Sequence, residues 1–157
     1  MTMARRSAGI LLYRRRGGAV EVLLVHPGGP LWTKRDAGAW SIPKGEYGEG
    51  EDPLAVALRE FEEETGQRPP ADGLVPLGQV RQRGGKVVSA WAARGDLDPD
   101  AITSNTFTLE WPPRSGVRRE FAEVDRAGWF DLATAREKLL AAQAELIDRL
   151  MAALDDG

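Results

Sequence analysis

Between Gly45 and Gly66 the chain reads GEYGEGEDPLAVALREFEEETG, and this run restricts the fold more than any other. Asp52 followed by Pro53 predicts an N-cap and a first helical residue, and Gly66 predicts the stop. Wound at about 100° per residue, the helix between them gathers Glu60, Glu63 and Glu64 on one face. Leu54, Leu58, Phe61 and Thr65 fall on another, as the stripe that would meet a core. Three carboxylates this close repel one another, and an oxygen-preferring divalent cation removes the repulsion. Mg²⁺ suits such a group, because it takes a few carboxylates while also holding substrate phosphates. A solvated acidic face is the rival reading of any glutamate run. The surroundings weigh against it: Pro43, Gly45, Gly48 and Gly50 form a loop flexible enough to bring backbone carbonyls to a cation. Arg59, next to Glu60, has the planar fork to hold a carboxylate.

The same residues resemble the Nudix box, which runs Gly, five residues, Glu, seven residues, Arg-Glu-apolar-any-Glu-Glu-any-Gly-apolar. Gly45, Glu51, Arg59, Glu60, Phe61, Glu63, Glu64 and Gly66 stand in register with it. Gln67 occupies the last apolar place, a departure that bears on packing more than on chemistry. The order of predicted elements resembles the family along nearly the whole chain. The resemblance implies an α/β fold, an α/β/α sandwich around a mixed β-sheet, and Mg²⁺-dependent cleavage of a phosphoanhydride, with Mn²⁺ as the substitute metal. It assigns metal ligation to Glu63 and Glu64, with Glu60 either a further ligand or the base that activates water, and with the Gly45 carbonyl as an added ligand. Arg59 would then hold Glu60, and Glu51 would support the box. The base of this family need not lie in the box, and Glu120 and Glu123, just before the last predicted strand, are the candidates outside it. Both are equally readable as surface residues.

Size and charge narrow the function from another side. A chain of 157 residues, 42% apolar and 29% charged, suits a single domain over residues 1–157 with its own core. A formal charge of −3 argues against a general binder of nucleic-acid polymers or membranes. With no cysteine there are no disulfides, thiolate ligands or thiol nucleophiles. The start, MTMARRSAGILLYRRR, has too short an apolar centre for a secretory leader and runs on into strand-like sequence, so a cytoplasmic location is expected.

Along the chain, residues 7–13 and 20–25 predict a hairpin about Gly17 and Gly18, with Arg14 to Arg16 as its solvated tip. His26 is the only histidine and is assigned a structural role. Residues 40–43 predict a short strand, after which Lys44 places an ammonium beside the box and any phosphate. Within the resemblance, the WSIPKG approach is similar to that of hydrolases acting on dinucleoside polyphosphates. Residues 74–82 and 86–93 predict strands joined around Gly84 and Gly85. Residues 104–111 predict another, ended by Pro112. Trp111 can stack on a base and Arg114 can pair a phosphate, or the two can be a packed tryptophan and a surface arginine. Residues 127–130 predict the last strand, with Trp129 in the core. From Thr134, in capping-box form, Leu139, Gln143, Leu146, Ile147, Leu150 and Leu154 predict one long amphipathic helix.

The expected ligand is a small nucleotide or polyphosphate, and the expected assembly a monomer or homodimer. A nucleotide-binding sensor without turnover and a hydrolase of nucleoside triphosphates or nucleotide sugars are the other readings that the sequence leaves open.

Overall fold

The computed structural model describes residues 5–155; the first four residues of the leader-like start lie outside them. Among these residues eight strands and three α-helices follow in the order β1 (Arg6–Arg16), β2 (Ala19–Pro27), β3 (Lys44–Glu46), α1 (Pro53–Thr65), β4 (Val75–Arg81), β5 (Val87–Arg94), β6 (Thr106–Glu110), β7 (Arg118–Ala122), β8 (Val124–Asp131), α2 (Leu132–Lys138) and α3 (Ala144–Asp155). The main sheet runs β4-β5-β1-β2-β8, with β3 added on β1, while β6 and β7 form a separate two-stranded arm. Among the strands of the described residues β1 and β5 are the pair that runs parallel, so the sheet is mixed.

Alternation along β1 decides the layers. Ala8, Ile10 and Leu12 face one cluster with Val56, Ala57 and Phe61 of α1. Leu11 faces the other with Leu139, Leu146, Ile147 and Leu150. The result is the expected α/β/α sandwich. β1 pairs with β2 only through residues 13–16, and with β3 through residues 7–9. The two long strands diverge, and residues 41–46 fill the split: Val25 bridges Ser41, and Ile10 N–H donates to the Pro43 carbonyl at 3.1 Å. The segment entering the box is thereby wedged into the centre of the sheet.

Several local expectations change. The strand after the long loop is Lys44–Glu46; Trp40 and Ser41 make only single bridges. Asp52 occupies the N-cap of α1, but its side chain caps nothing. Gly66 does end the helix, at φ 75°, with its N–H on the Glu62 carbonyl. On α1 the fully buried residues are Val56, Ala57, Phe61 and Thr65, with Leu54 and Leu58 only half buried. That rotates the inward face toward Glu60 and Glu64. The long C-terminal helix is two helices. Asp131, not Thr134, caps α2, accepting from the Thr134 N–H at 2.7 Å, and the chain turns extended at Leu139 and Leu140. Trp40 is the cause: its N–H donates to the Lys138 carbonyl and its carbonyl accepts from Leu140, a sheet-like exchange that pulls the backbone out of the helix. Arg14 is no solvated tip residue; it pairs with Glu21 and Asp96 and stacks on Trp129. The departure at Gln67 serves a local bond, its amide donating to the Asp98 carbonyl at 3.0 Å.

Candidate active site

α1 packs against β1 and β3, and this docking brings the box glutamates to the split in the sheet. Gly45 marks the closest approach. A Cβ built there would overlap the Glu60 carboxyl group, so only glycine lets that carboxylate lie against the strand. One residue earlier, the Lys44 backbone N–H donates to Glu64 Oε2 at 3.2 Å. Arg59 spreads its fork over three carboxylates, lying 3.6 Å from Glu51, 3.8 Å from Glu60 and 3.9 Å from Glu63. Glu51 also accepts from the Gly48 N–H at 2.9 Å, which ties the glycine loop to the helix.

These groups are short of counter-charge. Burial, then the neighbouring Glu63, raises the Glu60 carboxyl above its ordinary value, with Arg59 opposing. Burial pushes Glu64 up to about 8, although Lys44 pulls the other way. Burial, with Lys86 close by, pushes Lys44 down to about 8. Among the described residues no three histidine, aspartate or glutamate side chains converge as a ready-made cage for a cation. The donor set fits a hard divalent cation all the same: oxygen ligands on one helix, crowded enough to favour protons, and a glycine backbone against one of them.

Beside the glutamates lies a cleft of about 350 Å³, at the small end of ligand pockets. Glu64, Glu123, Lys44 and Lys86 line it, with Trp32 and Ile42 among its apolar walls. Glu123 is thus brought to the box, and its charge adds to that raising Glu60 and Glu64. Glu120 is not among the lining residues: it sits exposed on β7, held by the Thr106 hydroxyl. Trp111, half buried, and Arg114, exposed at φ 62°, turn the tip of the β6–β7 arm and line no part of this cleft.

A family model for the NUDIX domain matches residues 3–150. The chain belongs to the Nudix family. Among curated proteins it is 34% identical over 134 residues to an octanoyltransferase of Myxococcus xanthus, covering 85% of this chain and 33% of that protein. It is 29% identical over 146 residues to a nucleoside triphosphate pyrophosphatase/Nudix hydrolase fusion protein of Bifidobacterium longum (strain NCC 2705), covering 87% of this chain and 29% of that one. The chain therefore spans about a third of the length of these curated relatives. Among solved structures, a C. elegans Ap4A hydrolase binary complex superposes with a TM-score of 0.67 at 23% identity, over 98% of this chain and 100% of that one. The NUDIX domain of Shewanella oneidensis NrtR, complexed with ADP ribose, gives 0.66 at 20% identity, over 98% and 90%. At these identities the two share the Nudix fold with this chain.

Sequence reasoning on this Nudix domain misses Trp32, Gln82 and Lys86, which reach the cleft from loops far from the box. The paired glycines Gly84 and Gly85 signal the turn that carries Lys86, but nothing local shows what the turn faces. His26 has the structural place expected of it. It is fully buried, with Nδ1 2.9 Å from Asp125 and Nε2 2.6 Å from the Arg35 carbonyl. A carbonyl only accepts, so Nε2–H donates to it and pins the loop that bears Trp32. No helix of the described residues is long and apolar enough to cross a membrane.

Proposed function

We propose that the chain is a Mg²⁺-dependent pyrophosphohydrolase that cleaves a phosphoanhydride in a nucleoside diphosphate-linked compound, with dinucleoside polyphosphates such as diadenosine tetraphosphate as the favoured class. The observation that carries this is the meeting of Glu64, Glu123 and Lys44 at one cleft, with Glu60 and Glu63 beside it on the same helix, in a Nudix domain whose Bifidobacterium relative is a Nudix hydrolase fusion. Glu60, Glu63, Glu64 and the Gly45 carbonyl would hold the cation, with Mn²⁺ able to replace Mg²⁺. When bound, it offsets charge on the phosphate oxygens and acidifies the attacking water. The chain's own groups supply the rest. Arg59 keeps Glu60 and Glu63 in place across the helix surface. Lys44 sets a point charge on the phosphate chain. Glu123, which lines the cleft with Glu64, takes the proton as water oxygen bonds to phosphorus and the bridging P–O bond breaks. Trp32 offers a flat wall for a nucleobase.

A polyphosphate preference follows from Lys44, because an ammonium beside the box favours more negative charge than one diphosphate supplies. The site takes small-molecule nucleotides, and a cysteine-free chain suits the cytoplasm. The decisive experiment is phosphate release from a panel of dinucleoside polyphosphates, nucleoside triphosphates and nucleotide sugars, with Mg²⁺ and with chelator. Binding without release across the panel would make the protein a sensor. Faster cleavage of a nucleotide sugar would remove the polyphosphate class and leave the hydrolase.

A further inference from the structure

The cationic side of the cleft is assembled from two elements. Lys44 comes from β3, and Lys86 from the turn between β4 and β5. Their strands lie on opposite sides of β1, where Ser7 pairs with Glu46 on one flank and Val88 on the other. Two strand spacings separate the backbones, about 10 Å, yet both side chains reach the same cavity.

The turn holds Lys86 firmly. Gln82 N–H donates to the Lys86 carbonyl at 2.7 Å, Gly85 N–H donates to the Gln82 carbonyl at 3.0 Å, and Gly84 and Gly85 take φ values of 90° and 92°. No branched side chain adopts that pair of angles readily, so the tight turn depends on both glycines. Gln82 is itself fixed from behind: its Oε1 accepts from the buried Gln143 at 2.9 Å, which leaves its own NH₂ to donate into the cleft. Lys86 is mostly shielded, with 28% of its side chain exposed, and its ion-pair partner among the described residues is Glu46, 3.9 Å away and itself half exposed. Two ammonium groups and an amide donor converge here with Glu46 held only loosely by Lys86, while Glu123, which also lines the cleft, is the base proposed above. The nearest buried carboxylate, Glu64, is committed to the box. A multi-oxygen anion answers all three donors together.

We propose that Lys86 is a second phosphate-binding cation, and that it makes the cleft prefer chains of at least three consecutive phosphates. The proposal rests on the hydrolase reading for its direction: the box end of the cleft holds the reacting diphosphate beside Lys44, and Lys86 meets the next phosphate along.

The test is calorimetry on the full chain, with Mg²⁺ and with chelator, using inorganic pyrophosphate and inorganic triphosphate as probes. Lys86→Ala should weaken triphosphate by about tenfold or more, the scale of one lost hydrogen bond to a charged group. Pyrophosphate should weaken much less, Lys86→Arg should keep most of the preference, and Arg83→Ala, on the exposed outer side of the same turn, should change neither. A thermal melt qualifies each variant; if Lys86→Ala melts early, Lys86→Gln replaces it. Equal loss on both probes, no loss on either, or the same loss in Arg83→Ala would overturn the proposal. The two readings fail separately. Nucleotide hydrolysis that ignores Lys86 sinks this one alone, whereas a Lys86-dependent triphosphate preference in a protein that hydrolyses nothing sinks only the hydrolase.

Discussion

The two faces of the central sheet are covered in opposite ways. On one, α3 sends Leu146, Ile147 and Leu150 inward, all fully buried, and the polar Gln143 below them is fully bonded to the Ile42 N–H, Ser41 and Gln82. On the other, α1 sends Phe61 and Ala57 inward, but Glu60 and Glu64 ride on the same side of the helix. Apolar burial stabilises at roughly 25 cal/mol per Å², whereas burying a carboxylate without full pairing costs free energy and lifts its affinity for protons. The α3 face is therefore where the chain gains stability. The α1 face gives some up, and what it keeps in return is a group of carboxylates beside the cleft.

Substitutions should separate the faces. The largest effect belongs to the box. Glu63→Gln and Glu64→Gln should each lower kcat by about a hundredfold to a thousandfold, the scale of losing one preorganised charge-stabilising group. Glu64→Gln should also unfold at equal or higher urea concentration than its parent when chelator is present, because the cost of burying a carboxylate has gone. Near-parental turnover at limiting Mg²⁺, or an earlier midpoint, would dissolve the contrast.

The other face should respond the other way round. Leu150→Ala should cost about 2–5 kcal/mol in urea melts, from lost transfer energy plus a cavity. Its turnover per folded molecule should hold. Phe61→Ala tests the border between the faces: it should cost about 3–5 kcal/mol and also lower kcat, since Phe61 is the buried residue beside Glu60 and Glu64 that docks their helix. Loss of turnover in Leu150→Ala at matched folded fraction would mean that the two faces are not separable.

What could be read from the chain divides along the same line. The box was legible because glycines, a helix start and charged residues at fixed spacing act within one local segment. The β1–β2 hairpin was legible for the same reason. The break at Leu139 was not: the apolar period runs on through Leu146 and Leu150 with no glycine or proline, and the chain leaves the helix only because Trp40, far away in sequence, takes over the backbone bonds. Strand β7 escaped because RREFA shows no alternation of apolar residues; it pairs with β6 through its backbone and through Phe107 against Phe121. Around the cleft, Glu64 stands in a locally readable helix, while Lys86, Gln82 and Trp32 depend on loops that meet only after the sheet has formed.

A smaller effect should appear in how stability varies with pH in the metal-free protein. The folded chain holds the Glu64 proton up to about 8, against an ordinary 4.5. Between these values it binds a proton the unfolded chain has lost, so stability falls as pH rises through that window. Lys44 works on the other side. Its folded value is about 8 against 10.5, so the unfolded chain holds the extra proton between them and stability recovers as pH rises further. Urea midpoints in chelator should therefore pass through a trough near pH 8. Glu64→Gln should flatten the acid limb and Lys44→Met the alkaline one, while Leu150→Ala shifts the whole curve without changing its shape. A trough that survives both charge substitutions would place its origin elsewhere.

The smallest effect is expected on the β6–β7 arm, and it sharpens the contrast by its absence. Glu120 and Glu123 stand three residues apart and read alike in sequence as bases outside the box. The fold separates them. Glu123 follows β7 and lines the cleft with Glu64, whereas Glu120 points away on the exposed arm, bound by Thr106. Arg114 lies at the arm's exposed tip. Glu120→Gln and Arg114→Ala should leave kcat/KM within about twofold, as surface substitutions away from a site do. Glu123→Gln should lower kcat, because proton transfer from water then lacks its acceptor. The three variants are compared at fixed Mg²⁺ and ionic strength, so that changes in overall charge do not pass for chemistry. If Glu120→Gln loses as much as Glu123→Gln, the arm closes over the cleft during turnover, and the acidic side of the site extends beyond α1.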